Sequence, residues 1–237
     1  MNDNPIGIFD SGIGGIALLK ECASLLPHES FLYHADFENA PYGNKSEYEI
    51  FSVSLENVEL LLSYGAKAIV VACNTATGVA VDKLRKIIDV PIIGLEPAVK
   101  PACEDNKSKP VVLLCTNATA RQEKFIKLIQ NYGNERLSVL PQENLAKYVE
   151  DHVGDAAAMK KVVQEIFTGK TDAESVVLGC SHYTYLKKYI IEFFKENGNE
   201  SIKIYDGISG TAKQLRSVLQ SNNLLSDSIS TGFIEFV

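Results

Sequence analysis

Short apolar runs, each of strand length, recur along the first part of the chain. Residues 6–9, 31–33, 66–73 and 90–95 are rich in Ile, Val, Leu and Phe and show no polar alternation, the signature of strands covered on both faces. Apolar residues at helical spacing follow the first run up to Leu26. They recur from Ser46 to about Tyr64, and again from Val79 to Leu84. Ser46 with Glu49 three residues on has the spacing of a capping box. The order βαβαβαβ predicts a parallel, doubly wound sheet. A polar stretch over 104–109, closed by Pro110, marks a seam.

Beyond the seam the pattern starts again. Strands are expected at 111–115, 137–140, 175–180 and 202–205, with helices at 121–131, 143–150, 155–167 and 185–196. Residues 116–120 read as a turn and Gly154 as a helix break. A last helix is expected over 210–219 and an edge strand over 233–237. The two halves superpose by spacing. Asp10 and Thr116 follow the first strand of each half, and Asp36 and Gln142 lie 26 positions later in each. Cys73 lies 63 positions after Asp10, and Cys180 lies 64 after Thr116. Val70-Val71-Ala72-Cys73-Asn74-Thr75 matches Val177-Leu178-Gly179-Cys180-Ser181-His182 in kind: an apolar strand, a cysteine, then short polar side chains. The expectation is two pseudo-symmetric α/β domains with mainly parallel sheets, whose strand ends face one cleft. The expected division is 1–95 together with 208–237, and 96–207.

Composition narrows the function classes. The 237 residues are 46% hydrophobic and 22% charged, ordinary for a globular protein, and the apolar runs are far short of a membrane span. Residues 1–5 lead straight into a strand without a basic segment and apolar core, so a cytoplasmic location is expected. The net charge is −7 and no basic run exceeds two residues, which leaves no nucleic-acid footprint. That charge repels anions at long range, so a bound carboxylate needs local donors. Cysteines 22, 73, 103, 115 and 180 form no CxxC pair, an odd set that fits free thiols better than disulfides or a zinc site.

Cys73 and Cys180 are the candidate chemistry. Each is expected at the carboxyl end of a buried strand and the start of a helix, where open α/β sheets place ligands and where free amides favour a thiolate. A lone buried cysteine is commonly core. Two at matching positions suggest a two-base reaction, in which one thiolate removes a proton from a substrate carbon and the opposite thiol delivers one to the other face. One thiolate and one thiol are expected to coexist near neutrality. His182 stands two residues beyond Cys180, as a proton partner or as a backbone-bonded histidine at a helix start. Glu150 could polarise His182 or a substrate ammonium, or be a solvated helix carboxylate. Asn74, Thr75, Thr119 and Ser181 are short donors suited to a carboxylate and equally to helix capping. Asp10 is a strand-end acid or a turn residue. Gly12, Gly14 and Gly15 allow close backbone approach and positive φ at a ligand turn, but no G-K-[ST] follows to make a phosphate loop.

Ile6-Gly7-Ile8-Phe9-Asp10-Ser11-Gly12-Ile13-Gly14-Gly15, Ala40-Pro41-Tyr42-Gly43, Ala72-Cys73-Asn74-Thr75-Ala76 and Leu178-Gly179-Cys180-Ser181-His182-Tyr183 together resemble the glutamate racemases, in that family's order and spacing. The resemblance covers nearly the whole chain and includes Pro91–Ala98 and Thr116–Thr119. It implies a cofactor-independent isomerase that interconverts L- and D-glutamate, supplies the D-isomer for peptidoglycan and usually forms a homodimer. It implies that Cys73 and Cys180 are the acid/base pair, with Asp10 beside the first and with Glu150 and His182 beside the second. It places Asp10, Ser11, Pro41, Tyr42, Gly43, Asn74, Thr75, Thr119, Ser181 and His182 at the substrate. Ser181 stands where the family usually has threonine, and Asp36-Phe37-Glu38-Asn39 departs from the usual loop before Ala-Pro-Tyr-Gly. The alternatives are a racemase of aspartate or another acidic amino acid, and a catalytically silent amino-acid-binding protein. No lysine motif speaks for pyridoxal phosphate.

Overall fold

A computed structural model describes residues 3–105, 110–133 and 135–237. In the first half, β1 (Ile6–Asp10), α1 (Ile16–Leu25), β2 (Phe31–Ala35), α2 (Glu47–Ser63), β3 (Ala68–Val71), α3 (Asn74–Leu84) and β4 (Ile92–Gly94) follow one another. After α4 (Val99–Asp105) come β5 (Val111–Thr116), α5 (Asn117–Arg121), α6 (Glu123–Tyr132), β6 (Leu137–Gln142), α7 (Leu145–Asp151) and α8 (Ala156–Phe167). The chain ends with β7 (Ser175–Gly179), α9 (Lys187–Glu196), β8 (Lys203–Tyr205), α10 (Ile208–Ser221) and β9 (Ile234–Phe236).

Two all-parallel sheets result, ordered β4-β3-β1-β2-β9 and β6-β5-β7-β8. Read from opposite edges, β4-β3-β1-β2 and β8-β7-β5-β6 have the same topology, which is the expected repeat. Strand side chains alternate between two apolar layers. Phe9, Leu32, Ile69 and Val71 pack under α2 and α3, while Ile8, Tyr33, Ala68 and Val70 pack under α1 and α10. In the second sheet, Leu114 and Leu178 meet α7, α8 and α9, whereas Leu113 and Val177 meet α4 and α6. The inner strands β1, β3, β5 and β7 are buried along their whole length because both their faces are covered, whereas the edge strands β6, β8 and β9 keep exposed positions. Among the described residues, no helix is long and apolar enough to cross a membrane.

Several local expectations change. Where a turn is expected over 116–120 the chain forms the helix α5 (Asn117–Arg121), because Thr116 Oγ1 accepts the Thr119 amide and caps it. β6 runs on through Pro141, which an edge strand bonded on one side tolerates. Before α9 the chain makes a 3-10 turn over Ser181–Leu186, so the helix starts later than Tyr185. At the seam, Glu104 and Asp105 end α4, and residues 106–109 lie outside the described residues. The repeat also slips by one residue at the cysteines. Phe9 pairs with Val71, two residues before Cys73, whereas Cys115 pairs with Gly179, directly before Cys180.

Candidate active site

Both halves contribute to one cleft of about 260 Å³. Cys73, Thr75 and Ser11 line it from the first sheet, and Cys180, His182 and Thr116 from the second. Pro41, Tyr42 and Gly43 form one side, Glu150 the other. Cys73 and Cys180 are 5% and 7% exposed, each just past a strand and each the residue before a helical turn. The turns differ. Asn74 opens an α-helix of three turns behind Cys73, whereas only a 3-10 segment follows Cys180.

The Cys73 thiol is pushed up to about 12, chiefly by burial and then by the negative charge of Asp10, against the Ala76 amide and the Ser11 hydroxyl. Ser11 Oγ stands 3.8 Å from Cys73 Sγ. The helix start therefore does not make Cys73 a thiolate near neutrality, because desolvation outweighs a few dipoles. Asp10 is fully buried. It accepts hydrogen bonds from the Gly15 amide at 3.2 Å and the Ser181 hydroxyl at 3.0 Å, the second of which crosses between the halves. Burial raises its pKa, partly offset by His182.

His182 Nε2 lies 2.5 Å from Glu150 Oε2, and its Nδ1 is 3.4 Å from Ser181 Oγ and 3.9 Å from Asp10 Oδ2. Burial works against its charge. Hydrogen bonding to Cys180 and Glu150 and the nearby Asp10 prevail, and the imidazole's pKa is held well above its ordinary value. Glu150 is thus a partly buried partner of His182 rather than a solvated helix carboxylate, and its second oxygen, Oε1, is buried with no hydrogen-bond partner.

Gly12, Gly14 and Gly15 are required for close approach, as expected, but none adopts a positive φ. What comes close is protein. A Cβ on Gly12 would sit 2.3 Å from Glu150 Oε2, and one on Gly14 would sit 2.5 Å from Ser181 Oγ. Tyr185 of the second half donates to the Ile13 carbonyl at 3.0 Å. This loop is where the halves dock.

Other predicted donors lie behind the wall. Thr119 Oγ1 bonds Thr75 and Thr116 at 3.2 and 2.9 Å and does not reach the cleft, and Asn74 Nδ2 donates to the Leu95 carbonyl at 2.9 Å. Asn74 and Thr119 instead line a second cavity of about 250 Å³. Ser181 and Asp10 underlie the surface and hold His182. Thr116, Asn44, Gln142, Asn144 and Lys147 also stand on the cleft wall, where nothing in the motifs marks them as site residues. Thr116 and Gln142 are the repeat partners of Asp10 and Asp36, and that equivalence is the available signal. The brace behind Tyr42 is likewise unmarked. The Tyr42 hydroxyl donates to Asp36 Oδ2 at 2.5 Å, and Asn57 Nδ2 donates to the same oxygen at 3.0 Å. Burial opposes the Asp36 charge, but these bonds and those from Asn39 hold its pKa below the ordinary carboxylate range.

Paired strand-end thiols in one cleft between two parallel α/β sheets suit proton transfer to both faces of a small substrate. Known proteins agree with that class. A family model described as Asp/Glu/Hydantoin racemase matches residues 18–215. A glutamate racemase of Clostridium perfringens is 39% identical over 239 residues, covering 99% of this chain and 90% of that protein. The structure of a glutamate racemase from Bacillus anthracis superposes with a TM-score of 0.83 at 29% identity, covering 100% of this chain and 88% of that one. A glutamate racemase from Francisella tularensis in complex with D-glutamate superposes at 0.80 with 26% identity, over 100% of this chain and 89% of that one. The chain belongs to the Asp/Glu/Hydantoin racemase family, and racemases are isomerases.

Proposed function

We propose that this protein interconverts L- and D-glutamate by direct proton transfer at the α-carbon, with Cys73 and Cys180 as the two acid/base groups and no cofactor. The observation that carries this reading is that the two thiols, one from each sheet, line the same small cleft. The similarity to glutamate racemases, including one bound to D-glutamate, supports glutamate as the substrate.

In each turnover one cysteine, as thiolate, takes the α-proton and leaves a carbanion. The opposite S–H gives its proton to the other face, and the thiols end with their protonation states exchanged. Burial makes the first ionisation hard at Cys73, so charge from the substrate must assist it. An α-ammonium placed on the cleft-lining Glu150 offsets the negative charge behind the wall, including that of Asp10, and lowers the thiol's pKa. His182, held cationic, steadies the Cys180 thiolate. Thr75, Thr116, Ser11 and the Tyr42–Gly43 segment offer hydroxyl and amide donors to the carboxylates. On this reading the lobes are residues 1–95 with 208–237 and residues 96–207, a division supported by the partition of β1–β4 and β5–β8 between the sheets. The family resemblance extends the reading to a cytoplasmic homodimer whose product enters peptidoglycan.

The test is incubation with either enantiomer in deuterated water. Early inverted product should carry solvent deuterium at the α-carbon while recovered substrate largely does not. Cys73→Ala and Cys180→Ala should each abolish racemisation with the fold intact. Absence of inversion by the unaltered protein without added cofactor sinks the reading, and substantial turnover by either variant rejects the two-thiol mechanism.

A further inference from the structure

Lys147 stands out on the cleft wall. Among the described residues that line this cavity it is the one lysine or arginine, in a protein of net charge −7. The same wall carries the carboxylates of Glu150 and Asp151, which would repel an incoming dicarboxylate. Lys147, Glu150 and Asp151 occupy positions i, i+3 and i+4 of α7 and so share one helical face, turned to the cleft. The Lys147 ammonium pairs with Asp151 Oδ1, with both side chains about half exposed. A pair of that kind holds weakly and exchanges partners readily. Across the mouth, Asn44 Nδ2 of the first half donates to Asn144 Oδ1 of the second at 3.0 Å, three residues before Lys147. The other cation of the cleft, His182, is already committed to Glu150 and Asp10.

We propose that Lys147 is a specificity-determining residue, which leaves Asp151 to take the side-chain carboxylate of an acidic amino acid at the mouth of the cleft. This inference rests on the racemase reading above. It adds that preference for an acidic side chain comes from one exchangeable ion pair as well as from hydroxyls and amides. Asp151 then acts as a competitor for the lysine, holding it until a dicarboxylate arrives.

Steady-state racemisation of glutamate by the full chain and by Lys147→Met, Lys147→Arg and Asp151→Asn tests it, each variant first checked for folding by circular dichroism. Lys147→Met should raise KM about fivefold, more than it lowers kcat, as expected for loss of one screened charge contact. Lys147→Arg should restore KM to near that of the unaltered protein. Asp151→Asn should lower KM, because the competing carboxylate is gone. Salt at about 0.5 M should raise KM of the unaltered protein and barely affect Lys147→Met. A Lys147→Met variant with KM within twofold of the unaltered protein overturns the inference, and so does an Asp151→Asn variant that raises KM as Lys147→Met does. Both results would leave the racemase reading standing. Failure of the unaltered protein to turn over glutamate overturns that reading and this inference with it.

Discussion

Ionisation of Cys73 sets a quantitative demand on the cleft. Its thiol is displaced from an ordinary 9.0 to about 12, first by burial and second by Asp10. At about 1.4 kcal/mol per unit, forming this thiolate costs about 4 kcal/mol more than it does for a solvated thiol. At pH 8 the thiolate fraction is then about one in ten thousand, against about one in ten for an ordinary cysteine. Alkylation by iodoacetamide, followed by mass spectrometry of the Cys73 peptide, reads this out, because only the thiolate reacts. Its rate should climb tenfold per pH unit and still be climbing at pH 10. Asp10→Asn removes the second cause and should shift the profile to lower pH. Steric shielding scales the rate but not its slope, so a plateau below pH 9 would refute the reasoning. Linkage has the same sign. The folded-state pKa lies above the unfolded one, so the stability held by the protonated thiol is fully present below about pH 9. It is lost as pH rises from there through about 12.

Three further outcomes follow from the geometry. Gly14→Ala drives a Cβ to 2.6 Å from His182 Nδ1 and 2.7 Å from its backbone nitrogen, which cannot swing away. It should lower stability by about 1–3 kcal/mol in thermal denaturation and reduce racemisation far more than that loss explains, because it wedges the halves apart at the cleft. Glu150→Gln removes a partner that raises the His182 pKa, so the imidazole titration followed by NMR should move to lower pH; an unmoved titration assigns the raised pKa elsewhere. Asn57→Ala strips one donor from Asp36 and one contact from the Tyr42 hydroxyl. It should destabilise the protein by about 1–3 kcal/mol in urea denaturation and raise KM by loosening the Tyr42–Gly43 segment.

The inner strands were the most legible elements, because burial on both faces leaves an unbroken apolar run, here of strand length and rich in β-branched residues. The capping box at Ser46 and Glu49 forms as read, with both reciprocal bonds present. Local chemistry at element ends was less legible. Thr116 makes a helix of an expected turn by a bond to an amide three residues on, a choice that a short polar stretch leaves open. The glycines were legible as points of close approach, but only the fold shows that Glu150, Ser181 and His182 of the other half come close. The Cys73 pKa was misjudged for the same reason. A helix start is a local feature, whereas burial and the neighbouring Asp10 are tertiary. Lys147 was invisible because its place on the wall depends on which face of α7 turns inward.

The unequal surroundings of the two cysteines, one before an α-helix and next to Asp10, the other before a 3-10 turn and next to a cationic His182, have a consequence for the reaction in its two directions. Enantiomers have equal free energies, so the equilibrium constant is one, and kcat/KM must be the same for the L- and D-substrates whatever the protein does. On the proposed chemistry, the asymmetry can therefore appear only in how that shared value divides. The enantiomer whose α-proton is taken by Cys73 differs from its mirror image in kcat, and its KM differs by the same factor.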